Sequence, residues 1–137
     1  MLYQPNIAEQ RWLLLDFDSA RRINEETQIN TLFYTAPELA VSKLTGNQAY
    51  ATTALDIWGL GRIIHFMATA EPFYFGNPSG EEILRCLTEG DENLWVPDNA
   101  LDERTLPEVR ALLAKDPTKR KRLDVFKVLF ILELFMP

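Results

Sequence analysis

The feature that most constrains this chain is a stretch in its middle. Ile57, Trp58, Leu60, Ile63, Ile64, Phe66 and Met67 leave almost no polar side to the helix they would form. A helix that is apolar nearly all round belongs in the interior of a domain, with other elements packed about it. Thr53-Ala54-Leu55-Asp56 reads as its capping box, and Pro72 as its stop. The other elements must therefore supply its cover.

Further helices are legible on both sides. Pro37 at a first turn opens a short helix to about Leu44, and Gly46-Asn47 breaks it. Ser79-Gly80-Glu81-Glu82 is a second capping box, ahead of an amphipathic helix to about Thr88 with Gly90 after it. Thr105-Leu106-Pro107-Glu108 is a third, opening a helix through Ala114. Asp116-Pro117 breaks that one, and a last helix is expected from about Leu123 to Phe135. Upstream, Arg11–Asp18 is a short apolar run ending in acids, which suits a buried strand. Met1-Leu2-Tyr3 can pair with it across a turn at Pro5-Asn6. Residues Ser19–Tyr34 are polar and without period, so they read as a long loop of the kind that usually carries function. The expected fold class is mainly α: a short N-terminal β-hairpin, a long loop, then about five helices.

Charge and cysteine usage narrow the function. The 137 residues carry 14 Lys and Arg against 20 Asp and Glu, a net charge of −6. An acidic chain is a poor nonspecific binder of nucleic acid or of an anionic membrane. The basic run Lys119–Arg122 is then expected to be a solvated approach to the last helix. One cysteine, Cys86, allows no internal disulfide and fits a reducing compartment, taken as the cytoplasm. His65 reads as a core residue of the central helix. There is no basic, apolar leader at the N-terminus, and no run of the ~20 apolar residues that a bilayer span needs.

Four stretches together resemble the C-terminal lobe of a protein kinase. Leu14-Leu15-Asp16-Phe17-Asp18 is similar to the Asp-Phe-Gly motif after an apolar strand, with Asp18 in the glycine position. Ala36-Pro37-Glu38 is an intact Ala-Pro-Glu, with Glu38 standing 22 positions after Asp16. Asp56-Ile57-Trp58-Gly59-Leu60-Gly61 resembles the start of the family's central buried helix, and Asp116-Pro117-Thr118-Lys119-Arg120 its Asp-Pro-x-x-Arg turn. In this order the four cover nearly the whole chain.

The resemblance implies roles. Asp16 is the expected Mg²⁺ ligand, and through the metal the contact to ATP in a complete domain, because Mg²⁺ prefers oxygen donors. Asp18 is expected to stiffen the switch that glycine makes loose. Thr31 and Tyr34 fall in the substrate-docking loop, and the hydroxyls of Thr27 and Thr31 are open to phosphorylation. Asp56 matches an acid that accepts backbone hydrogen bonds from the catalytic loop, and here also caps its own helix through Thr53. Glu38 is expected to meet Arg120 in a mostly buried ion pair.

The resemblance also implies what the chain lacks. The Gly-rich loop, the strand Lys, the catalytic-loop Asp and the second metal-binding Asn precede Met1 in the family's order. Residues 1–137 thus read as a partial kinase domain, without catalytic residues of its own and binding neither ATP nor Mg²⁺ tightly by itself. Part of Ile57–Met67 would be open to a partner, the missing N-terminal part of the kinase among them. A protein substrate or partner is expected, and no nucleic acid or membrane. The functional expectation is the C-lobe of an enzyme that transfers the ATP γ-phosphate to Ser or Thr of proteins. The alternative is a pseudokinase-like protein-binding module.

Overall fold

The computed structural model describes residues 2–6, 9–13, 16–28, 31–70, 78–91, 96, 101 and 103–122. Strands β1 (Leu2–Asn6) and β2 (Glu9–Leu13) form an antiparallel hairpin. Pairing runs from Leu2 opposite Leu13 to Asn6 opposite Glu9, past the turn expected at Pro5-Asn6. The strand expected over Arg11–Asp18 begins earlier, at Glu9, and Asp16, Phe17 and Asp18 are exposed and outside it.

The long loop is less bare than its composition suggests. Glu26–Thr27 forms a two-residue strand, β3, and Leu32–Tyr34 a 3₁₀ turn. Helix α1 spans Pro37–Thr45, with proline at its first turn. It stops at Gly46, which takes φ 71°, a left-handed conformation that costs glycine nothing. Ala49–Tyr50 is β4, antiparallel to β3.

Helix α2 spans Thr53–Thr69, α3 Gly80–Glu89 and α4 Thr105–Leu112. The last helix expected over Leu123–Phe135 lies outside the described residues, as does Pro72. Among the described residues, α1 packs on α3 and α2 on α4. The core joins Ala36 and Ala40 of the α1 region, Trp58 and Ile64 of α2, Ile83, Leu84 and Leu87 of α3, and Val109, Leu112 and Leu113 of the α4 region. Gly61 sets the α2–α4 distance. A Cβ there would stand 2.9 Å from Leu112 Cβ and from Leu113 Cδ2.

Of the three capping boxes, one forms. Ser79 Oγ accepts from the Glu82 N–H at 3.3 Å, and the Ser79 N–H donates to Glu82 Oε2 at 2.7 Å. α2 instead starts after Thr52, with no side-chain cap, so Asp56 does not cap its helix through Thr53. α4 starts after Arg104, and Thr105 is drawn inside the helix and buried. Burial of Thr105 accompanies the loss of the cap that local sequence favours.

Burial around α2 is one-sided: its composition alone suggests cover all round, whereas the family resemblance leaves part of Ile57–Met67 open. Trp58, Gly61, Arg62, Ile64 and His65 are buried, while Phe66 is 54% exposed. Ile57, Leu60, Ile63 and Met67 are half-buried.

Candidate functional site

The site is built around Arg120, at the end of a 3₁₀ turn over Pro117–Lys119. Asp116 holds that turn: its Oδ1 accepts from the Thr118 hydroxyl at 2.7 Å and the Thr118 N–H at 2.9 Å. These bonds stabilise the carboxylate and hold its pKa below the ordinary 3.8, the hydroxyl contributing most. Proline at the first turn position and the Asp116 cap fix where the backbone points Arg120.

The Arg120 side chain is fully buried, which corrects the expectation that Lys119–Arg122 is a solvated run. Its two terminal nitrogens donate to the two carboxylate oxygens of Glu38, each at 2.6 Å. Its remaining donors go to backbone carbonyls. Nε donates to Ala114 at 2.9 Å and Nη1 to Ala54 at 2.8 Å. The guanidinium also lies over the Trp58 ring, 5.0 Å from its centroid. A planar cation with this many satisfied donors can be buried, because each lost contact with water is replaced. The neighbouring Lys121 pairs instead with Glu108 of α4.

One side chain thus ties together the start of α1, the start of α2 and the turn after α4. Glu38, whose side chain is 28% exposed, stands in the first turn of α1, where a carboxylate also meets the positive end of the helix. That fixes the segment just before it. The Thr31 carbonyl accepts from the Tyr34 N–H and the Thr35 hydroxyl, both at 3.2 Å. Thr35, Ala36 and Pro37 are buried. The turn leans on α3, where a Cβ at Gly80 would come within 3.0 Å of Leu32 Cδ1. The result is a short loop with a rigid inner side and an exposed outer side. Thr31, Phe33 and Tyr34 face solvent, and the Thr31 side chain caps nothing.

The structure brings Glu38 and Arg120 together but leaves the other expected site residues apart. Asp16 is exposed, with φ 65°. Asp18 keeps a negative φ, and Asp16 is the left-handed residue. Asp56 is exposed and carries no hydrogen bond among the described residues. Among these residues no cluster of three potential metal ligands exists. Asp16 fits as one exposed carboxylate donor to a hard cation, which holds other waters and phosphates, and not as a complete metal site.

Two features were not read from the sequence. The first is Trp58 as the platform under Arg120. The second is the β3–β4 ribbon, beside which lies a cleft of about 360 Å³ lined by Glu26, Thr27, Leu39, Lys43, Asn47 and Gln48, among others. Trp58 could have been found from Asp-x-Trp standing in the same chain as Asp-Pro-x-x-Arg. The ribbon has no signal, since two-residue strands carry no period.

Comparison with known proteins agrees with this geometry. The family model of the protein kinase domain matches residues 6–127. A glycogen synthase kinase-3 homolog of Saccharomyces cerevisiae is 38% identical over 79 residues, covering 53% of this chain and 20% of the relative. Glycogen synthase kinase 3 of Trypanosoma brucei brucei is 42% identical over 81 residues, covering 54% and 22%. Cyclin-dependent kinase G-2 of Oryza sativa subsp. indica is 36% identical over 95 residues, covering 67% and 12%. The chain spans about a fifth or less of the length of these relatives. No helix among the described residues is long and apolar enough to cross a membrane. A family match over most of the chain, on a helical fold whose Ala-Pro-Glu carboxylate is gripped by the arginine of Asp-Pro-x-x-Arg, places this chain in the protein kinase domain family.

Proposed function

We propose that residues 1–137 are the C-lobe portion of a Ser/Thr protein kinase that in complete form transfers the ATP γ-phosphate to protein Ser or Thr residues. The observation that carries this reading is the bidentate Glu38–Arg120 pair, which holds the loop of Thr31 and Tyr34 as a fixed platform. Phosphoryl transfer depends on positioning and on charge stabilisation, and a platform that orients the acceptor peptide supplies the first. Thr31 and Tyr34 present hydroxyls on its exposed side. Asp16 offers one oxygen ligand toward Mg²⁺, which would draw charge from the nucleotide phosphates when bound. Asp56 presents an exposed carboxylate at the start of α2, suited to accepting backbone N–H groups from a catalytic loop. The single unpaired Cys86 fits a reducing compartment, and the cytoplasm is the proposed one.

The sequence itself holds no His-Arg-Asp stretch and no Gly-rich phosphate loop. The chain alone is therefore inactive in this reading. The half-exposed stripe Gly59, Ile63 and Phe66 on α2 suits cover by the rest of a kinase domain. The same stripe is what favours the second reading, a pseudokinase-like module that binds a partner protein there.

The test is a chimera in which this chain replaces the matching segment of the Trypanosoma glycogen synthase kinase 3. Phosphotransfer by the chimera, lost in Asp16→Ala, is the expected result. A folded chimera that binds ATP yet transfers nothing would favour the binding module.

A further inference from the structure

The cleft beside the β3–β4 ribbon is built by stretches of chain that the sequence separates and the fold joins. Glu26, Thr27 and Gln28 line it from the side of β3, and Leu39, Ser42 and Lys43 from α1. Gly46 turns the chain after α1, and the Asn47 N–H donates to Ser42 O at 3.0 Å, which holds the segment leading to Ala49 at the helix end. Ala49 then pairs with Thr27, so backbone pairing joins the two sides. The lining is almost wholly polar, with Leu39 and Ala49 as its apolar side chains. Its two charged residues, Glu26 and Lys43, are exposed, and they form no ion pair with each other. The side chains of Gln28 and Asn47 make no hydrogen bond among the described residues. Gln48 Oε1 accepts from the Tyr50 hydroxyl at 3.1 Å, which orients that carboxamide and leaves its N–H groups to donate elsewhere.

An unpaired acid and an unpaired base in one small cleft narrow the ligand. The lining is neutral in sum, so it lacks the several carboxylates and carbonyls that hold a hard metal ion. A lone Lys is likewise a poor match for a polyphosphate. An apolar ligand finds too little apolar surface to bury. A zwitterion satisfies both charges at once. Carboxamides offer a donor and an acceptor together, which suits an uncharged polar group on the same ligand. The volume of about 360 Å³ lies at the small end of ligand sites, which run from about 300 to 1,000 Å³. We propose that this cleft binds a free α-amino acid with an uncharged polar side chain. Lys43 takes its carboxylate, Glu26 its ammonium, and Gln28, Asn47 and Gln48 its side chain. Neither Asp16 nor the loop of Thr31 and Tyr34 takes part, so the site stands independently of the phosphotransfer reading. Both charges are exposed, so each contributes weakly and the affinity lies in the millimolar range.

The test is a titration of the full ¹⁵N-labelled chain with L-glutamine, followed by NMR. Saturable shifts are expected at the amides of Glu26–Gln28 and Ser42–Ala49. Two further probes each remove one charge of the ligand: N-acetyl-L-glutamine lacks the ammonium, and L-glutamine amide lacks the carboxylate. Each is expected to bind at least threefold more weakly than L-glutamine, the scale of an exposed charge pair. Glu26→Gln and Lys43→Gln change exposed side chains, so the fold is expected to survive both. Glu26→Gln is expected to erase the preference for L-glutamine over N-acetyl-L-glutamine while keeping that over the amide. Lys43→Gln is expected to do the reverse. This crossed pattern pairs each charge of the ligand with one residue, which a merely structural effect of either substitution cannot do. No saturable shift at tens of millimolar L-glutamine would overturn the proposal. So would equal binding of the three probes by the parent chain, or preferences that survive both substitutions. A response to only one of the two charges would reduce the site to a simple ion contact and overturn it as well.

Discussion

Arg120 shows how much one residue can organise. It touches α1, α2 and the turn after α4 at once. Breaking a buried pair leaves a charge without its partner, at a cost of roughly 3–5 kcal/mol. That is a large share of the ~5–15 kcal/mol that holds a domain together. Arg120→Ala should lie at the upper end, since it also empties the space over Trp58 and orphans the Ala54 and Ala114 carbonyls. Glu38→Ala should lie near the lower end, because Glu38 is partly solvated and Arg120 keeps its carbonyl acceptors. Arg120→Lys should still be damaging, since a point charge cannot hold both carboxylate oxygens. Urea titrations of the three variants check this order. A midpoint for Arg120→Ala within error of the parent would show that the pair does not hold the lobe.

At the scale of elements, α2 contains its own internal comparison. Gly59 has nothing within 4 Å of where a Cβ would be, whereas a Cβ at Gly61 would collide with Leu112 and Leu113. Gly59→Ala should stabilise the helix by about 0.5–1 kcal/mol. Gly61→Ala should destabilise by about 1–3 kcal/mol through overpacking. Thermal melts of the pair would show opposite signs. A destabilising Gly59→Ala would mean that face is covered.

Helix α3 makes a prediction in pH. The Ser79 N–H and hydroxyl contacts hold the Glu82 carboxyl below its ordinary 4.5. A carboxyl lowered on folding stabilises the fold above its unfolded value, and that contribution is lost as pH falls through the lower folded value. Glu82→Gln keeps the box geometry but removes the titration. Its melting temperature should therefore fall less than the parent's between pH 5 and pH 3. Parallel curves would contradict the assignment. The capping boxes also show where sequence reading succeeds and fails. Ser79 is exposed, so local chemistry decides there. Thr105 is buried inside the helix, and the same motif does not form there.

At the scale of the molecule, α1, α3 and α4 were legible because each has a start or stop signal among Pro37, Gly46, Ser79 and Asp116, and α2 because of its apolar run. The Glu38–Arg120 contact was legible only through family resemblance, since 82 positions separate the partners and no periodicity reaches that far. The β3–β4 ribbon was not legible, and the one-sided burial of α2 was legible only through the family resemblance, which left part of Ile57–Met67 open. The first is backbone pairing between segments too short to show a pattern. The second depends on what packs beside the helix, which its own composition does not state.

In the proposed reading, residues 1–137 help to position a protein substrate and do not transfer phosphate by themselves. The most direct test is to incubate the purified 137-residue chain with labelled ATP, Mg²⁺ and a generic Ser/Thr substrate. Incorporation no greater than a buffer control is the expected result. Turnover above that control, abolished by Asp16→Ala, would contradict it.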